Sequence, residues 1–463
     1  MHQRWGVISD AWRTRLWPLP TLGVLLAVGL GIGLPFLDGH ARTGMPGWLV
    51  GYLFAGGPEA ARTVLSALAG SLITVTSLTF SLTVVTLQLA SGQFSPRLLR
   101  TFARDPVVQA CLTVLLATFT YAITVLRTVR GSTEDRTAFV PQISVTVAYV
   151  LGVASVFALV IFLAHIARQI RVEGMLREVH AETRVTMDRV LAGSAAPEAS
   201  GFADTPGVPS DAVPLCIDAS GFFTYVDEAA LRSAATAAGA VVYLDRLPGD
   251  GLVAGVPVAA AWPAPGEPPL TDDARADLQR CLCAALHTGF ERTAAQDVAF
   301  GLRQLVDVAV KALSPGVNDP TTAVHALDHI AALLVELSRH DLRPRVLCDA
   351  DGTTRVVVRR PGFAELLDLG VAQPRRFGAG DPEVLLRLFA LLRELAWATG
   401  SPDHHREIAG QLTRLLGTAE QQSFDDAERD RLRQEAAAVR LALAGIWRWN
   451  ASPVSPSPGA FMQ

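Results

Sequence analysis

The chain is 463 residues long, 50% hydrophobic and only 18% charged, with a formal net charge of −4. Soluble globular domains carry about 25% charged residues, so this composition, with a mean hydropathy of +0.31, excludes an ordinary soluble enzyme. The mildly acidic balance also excludes a nucleic-acid partner recruited by global charge.

Five cysteines (Cys111, Cys216, Cys281, Cys283, Cys348) make no metal or disulfide framework. Cys281 and Cys283 are two apart, a spacing that a helix turns to different faces. Lys and Arg total 40, yet Lys311 is the single lysine. A strong arginine bias that spares one lysine points to a place where a compact point charge is wanted rather than a planar fork.

Four stretches are long enough to cross a hydrocarbon core, which takes about 20 apolar residues. They are residues 16–37, the uncharged run 63–96, the run between Asp105 and Arg127, and the run between Arg136 and Arg168. The first reads as a retained span, because Pro18, Pro20 and Pro35 interrupt it and no A-x-A cleavage site follows. Nine arginines fall in segments on one side of these spans (Arg4, Arg13, Arg15, Arg97, Arg100, Arg104, Arg168, Arg171, Arg177) and five on the other. The bias predicts a multi-pass protein of the bacterial inner membrane with both termini cytoplasmic.

The second span is rich in hydroxyls. At 100° per residue Thr63, Ser66, Gly70, Thr74, Ser77, Ser81 and Gln88 fall in a sector of about 80°. Thr76, Thr79, Thr83 and Thr86 form another stripe. Small and hydroxyl residues let membrane helices approach closely, or line a watery pore where they replace part of an ion's hydration shell. Ser66, Thr74, Ser77, Ser81 and Gln88 are therefore candidate pore-lining residues. Beyond them Ser95 and Pro96 can start a new helix, placing Arg97, Arg100 and Arg104 on one face as headgroup anchors or a cationic vestibule.

After the spans, residues 172–191 read as a helical stalk and 192–214 as an Ala/Ser/Gly/Pro linker. Residues 215–270 predict a small β module, a sandwich or half-barrel. Its strands are 215–218, 221–226, 240–245, 251–253 and 256–261, with a helix at 227–238 and the turn Pro248-Gly249-Asp250-Gly251. That turn resembles the one in lipoyl- and biotinyl-type hammerhead folds, but no lysine stands there to carry a cofactor. Residues 271–449 predict helices at 272–288, 297–313, 319–339, 381–399, 402–419 and 424–449, interrupted by a hairpin of 345–348 and 354–359. The Pro-rich tail 450–463 is expected to be disordered. The expected fold is thus a four-helix membrane domain (1–171) followed by a mostly helical α+β cytoplasmic region.

The stretch from Asp297 to Ala323 is the densest motif of that region. Arg303 and Asp307 stand at i, i+4, Ser314-Pro315-Gly316 stops a helix, and Asp319 with Pro320 starts the next. Read structurally, this is an ordered helix–turn–helix. Read functionally, Lys311, Thr321, Thr322 and the free amides of a helix N-terminus are an anion site, or Asn318 and Asp319 offer oxygens to a cation. His325 and His329 have the i, i+4 spacing of zinc ligands but lack the glutamate of H-E-x-x-H, and no metal is expected. No nucleophile elbow, Walker loop or catalytic carboxylate pair occurs, so neither enzymatic activity nor a cofactor is expected.

The stretches 79–97 and 303–323, the latter containing Lys311-Ala-Leu-Ser-Pro-Gly-Val-Asn-Asp-Pro-Thr-Thr-Ala323, resemble the signatures of a bacterial family of predicted membrane proteins, domain-of-unknown-function family 2254. The resemblance covers roughly residues 10–445 and implies four N-terminal spans, a cytoplasmic C-terminal half and no assigned activity. Gly251 stands where the resemblance implies a Phe. Two functions fit: a homo-oligomer in the lipid bilayer that conducts a small ion and senses a small or anionic ligand, or a non-conducting scaffold or stress-signalling protein. Nucleic acid is not an expected partner.

Overall fold

The computed structural model describes residues 17–41, 53–93, 105–131, 139–169, 172–191 and 206–449. Arg97, Arg100, Arg104, most of the expected linker and the tail lie outside the described residues. The chain divides into two compact units, 1–174 and 175–463.

The first unit contains α1 (Pro18–Ala41), α2 (Pro58–Gln93), α3 (Pro106–Leu126) and α4 (Gln142–Gln169). Each carries a segment long and apolar enough to cross a membrane. α3 is central and packs on the other three. Small residues permit the approach: a Cβ on Gly31 of α1 would come 2.8 Å from Thr124 of α3, and one on Gly152 of α4 would come 2.7 Å from Leu68 of α2. Ala61, Leu65, Tyr121, Ala122, Val125, Val145 and Ala148 form the buried seam.

Two buried carboxylates act as helix caps in this unit. Asp38 of α1 accepts from the amides of Ile143 and Ser144, each at 3.0 Å, and from the Ser144 hydroxyl at 2.8 Å, so it caps the N-terminus of α4. Asp105 caps α3, accepting from the Val107 amide at 2.8 Å, and its other oxygen meets the imidazole of His165 on α4.

The second unit begins with the rest of α5 (Val172–Leu191) and continues through β1 (Val213–Cys216), β2 (Gly221–Val226), α6 (Glu228–Ala237), β3 (Ala240–Leu244), β4 (Gly251–Leu252) and β5 (Pro257–Pro263). Then follow α7 (Asp272–Ala285), β6 (Leu286–Gly289), α8 (Val298–Ala312), α9 (Pro320–Leu337), β7 (Arg345–Cys348) and β8 (Thr354–Val358). The last four helices are α10 (Phe363–Phe377), α11 (Pro382–Ala398), α12 (Pro402–Glu420) and α13 (Asp426–Leu443).

One sheet has the order β1-β5-β3-β8-β7 and the other β4-β2-β6. Among the described residues only β3 and β8 pair in parallel, Val242 with Val356 and Leu244 with Val358. The β module is therefore not complete within 215–270, because the later hairpin supplies two of the five strands.

Other expectations need correction, among them the helix expected over 424–449, which spans only Asp426–Leu443. The helix expected over 272–288 stops at Ala285, and Leu286–Gly289 becomes β6, paired with β2 from Val226↔Leu286 to Phe222↔Gly289. Those partners lie about 60 residues away in sequence, beyond the reach of a local pattern. Helix α10 was not anticipated, since Gly370 and Pro374 interrupt its composition. Its buried face nevertheless repeats at Phe363, Leu366, Leu367, Gly370, Val371 and Pro374.

Candidate functional site

In the first unit the two hydroxyl stripes of α2 have separate fates. Leu65, Ala69, Leu72, Thr76, Thr79 and Thr86 are buried, on the face that α2 turns to α3 and α4. The hydroxyls of Thr76, Thr79, Thr83 and Thr86 each donate to the carbonyl four residues earlier, at 2.7, 2.8, 2.8 and 2.9 Å. That arrangement removes their polarity from the packed seam. Ser66, Thr74, Ser77, Ser81 and Gln88 are all exposed, on the opposite side of the helix at 100° per residue. Large apolar side chains, among them Leu78, Phe80 and Val85, flank this stripe and are exposed as well.

In the second unit the turn between α8 and α9 is closed on itself. Asn318 takes φ 49°, in the left-handed region that asparagine tolerates. The amides of Val317 and Asn318 donate to the Ser314 carbonyl at 3.0 and 2.9 Å, and that of Asp319 to the Ala312 carbonyl at 2.8 Å. Asp319 accepts from both the amide and the hydroxyl of Thr322, at 3.0 and 2.6 Å. The Thr322 hydroxyl and then its amide hold the Asp319 carboxyl below the usual carboxylate range.

The N-terminus of α9 is thus capped by its own Asp319 carboxylate. Lys311 and Thr321 frame the turn. His325 is exposed, and His329 packs edge-on against His180 of α5, ring centres 5.2 Å apart. Among the described residues no group of three or more His, Cys, Asp or Glu is placed to hold a metal ion.

What the fold does bring together lies at the other end of α8. A cavity of about 280 Å³ is lined by the Pro248–Asp250 turn, the start of α8 with Asp297 and Arg303, and Arg359, Pro361 and Glu365 from the β8–α10 connection. Asp297 is buried, and one of its oxygens accepts from Arg292 Nε at 3.0 Å and Nη2 at 2.5 Å. Burial pushes the Asp297 carboxyl up, against the opposing pull of Arg292, the Ala299 amide and Arg303.

Gly249 takes φ +95°, and a Cβ there would strike the Asp297 carboxylate and lie 2.7 Å from Arg292 Cζ. The turn is therefore glycine because its backbone closes directly on the ion pair. Arg359 pairs with Glu365, whose second oxygen accepts from the Gly362 amide at 3.3 Å. Of this site the sequence singles out Arg303, Asp297 at the head of its motif, and the flanking turn. Arg292 and Arg359 carried no local signal.

Residues 13–394 match the family described as "Predicted membrane protein (DUF2254)". The chain belongs to this family. Two uncharacterised proteins, from Mycobacterium tuberculosis and Mycobacterium bovis, are each 35% identical over 467 aligned residues, covering 100% of this chain and 86% of theirs. No solved structure matches the chain. The DUF2254 match spans all four membrane-length helices, the Pro-Gly-Asp turn and the α8–α9 motif.

Proposed function

We propose that this DUF2254 protein is a homo-oligomeric ion pathway of the bacterial inner membrane, lined by α2, whose C-terminal half is cytoplasmic and senses a small ligand. The supporting observation is the exposure of Ser66, Thr74, Ser77, Ser81 and Gln88 opposite the packed face of α2. Thr74 donates to the Gly70 carbonyl of its own helix at 3.1 Å, but lipid offers the side-chain amide of Gln88 and the serine hydroxyls no partner outside the helix, whereas a second copy or a water-filled lumen does. The flanking Leu78, Phe80 and Val85 supply apolar edges for neighbouring copies. The cytoplasmic placement follows the arginine bias of the loops. No reaction is assigned to the chain.

The test is electrical and chemical. Purified protein in planar bilayers should pass current, and Ser77→Cys or Ser81→Cys should make that current sensitive to a water-soluble thiol reagent, while Thr79→Cys should not. Bilayers that stay sealed across a range of ions would overturn conduction. The second reading, a non-conducting scaffold, draws on the lack of any ionised side chain along the exposed stripe, since transport sites usually carry one. Disulfide capture between copies through Ser77→Cys without current would favour it.

A further inference from the structure

We infer that the cleft at the start of α8 binds a small organic oxyanion, a phosphomonoester or carboxylate of few carbons, between the guanidinium groups of Arg292, Arg303 and Arg359. The site goes beyond the proposed function by naming a ligand class, and its binding can be measured whether or not α2 conducts.

Three segments meet at the same 280 Å³ cavity: residues 292–303 deliver Arg292 and Arg303, the β8–α10 connection delivers Arg359, and the Pro248–Asp250 turn closes on them. A guanidinium presents five N–H donors in a planar fork that matches carboxylate and phosphate oxygens. Three carboxylates share the cleft with these arginines, and two of them, Asp297 and Glu365, pair with Arg292 and Arg359 through only part of each guanidinium's five donors. Asp250 accepts from the Leu247 amide at 2.8 Å and so holds its own turn. Glu365 divides its oxygens between Arg359 and the Gly362 amide.

Asp297 stands at the N-cap of α8 but makes no capping hydrogen bond with its side chain, which is turned to Arg292 instead. Val298 and Ala299 of the first turn of α8 line the cleft, at the positive end of the helix dipole, with the Ala299 amide also drawing on the Asp297 carboxyl. Asp297 thus orients Arg292 through their ion pair. Gly249 locks this pair from the other side. Leu247, Pro248, Leu366 and Leu369 supply apolar walls suited to a short carbon skeleton. The volume lies just under the roughly 300–1,000 Å³ of drug-sized pockets and suits a small ligand.

The experiment is calorimetric titration and thermal unfolding of the full-length protein in detergent. The probes are inorganic phosphate, glycerol 3-phosphate and succinate, with glycerol as the neutral control and potassium chloride at matched ionic strength. At least one organic anion should bind at one site per chain and raise the unfolding temperature more than the salt does. Arg303→Gln should weaken binding about tenfold or more, the loss expected for a charge-assisted hydrogen bond. Arg359→Gln, at a side chain 34% exposed, should do the same without disturbing a buried group.

The inference falls if none of the probes binds at millimolar concentration, if potassium chloride reproduces the stabilisation, or if both variants bind like the parent. Binding abolished by Lys311→Gln but untouched by Arg303→Gln would place the anion at the α8–α9 turn and also overturn it.

Discussion

Replacing Gly301 by Ala should weaken the contact between α5 and α8 within the second unit. Gly301 is buried in α8, and an added Cβ would strike the Thr183 hydroxyl and lie 2.9 Å from its Cβ and 3.1 Å from its Cγ2. Thr183 has little freedom to yield. It is buried, and its hydroxyl donates to the Val179 carbonyl at 2.6 Å. Relief must come from separation of the two helices.

Overpacking of this kind costs about 1–3 kcal/mol, and so complete an overlap belongs near the upper end. Alanine's helix propensity returns roughly 1 kcal/mol. The net loss of about 2 kcal/mol should lower the unfolding temperature by roughly 4–8 °C for a unit of this size. Thr183→Ala removes the hydroxyl and methyl and leaves only the Cβ contact. In a double-mutant cycle read by thermal unfolding, the pair should therefore be less destabilised than the sum of the singles by about 1 kcal/mol. Strict additivity, or stabilisation by Gly301→Ala alone, would refute the claim that glycine is required by close approach.

Other outcomes follow from the same geometry. Asp38→Ala should destabilise the membrane unit by about 2 kcal/mol, at the upper end for a lost cap, and Asp38→Asn by less because it keeps an acceptor; denaturant titration in bicelles would reveal equal losses if the cap is unimportant. His180 is held below the ordinary imidazole range by burial and then Arg184, and His329 by burial and then His180. The unfolded chain therefore binds more protons, and stability present above about pH 6.5 is lost as pH falls below it. The unfolding temperature should drop on acidification through that window, and His329→Gln should flatten the drop; an unchanged slope would count against the pair. Asp319→Ala should cost about 1 kcal/mol at neutral pH, and the gap to the parent should close in acid, because a depressed carboxyl loses its contribution as pH falls through the carboxylate range. Lys311→Arg should leave unfolding unchanged, so any loss in a complementation assay would mark a functional rather than a structural role for the single lysine.

The sequence by itself determined the features that depend on local pattern. Four uncharged runs of sufficient length have one low-energy solution in a bilayer, a helix whose backbone bonds are internal, and all four appear. The hairpin of β7 and β8, the strand at 221–226 and the cap at Asp319 were likewise legible, because alternation, turn residues and capping chemistry act over a few residues.

Tertiary structure decided what depends on distant partners. Whether 286–289 continues a helix or joins β2 rests on side chains some 60 residues earlier. The two hydroxyl stripes of α2 look alike in sequence, and only packing against α3 and α4 buries Thr76, Thr79 and Thr86 while leaving Ser77 and Ser81 exposed. The arginine cleft is the furthest from sequence. Arg292, Arg303 and Arg359 share no spacing, and they meet because the closure of the Pro248–Asp250 turn on α8, and of β8 alongside β3, brings three separate segments to one cavity.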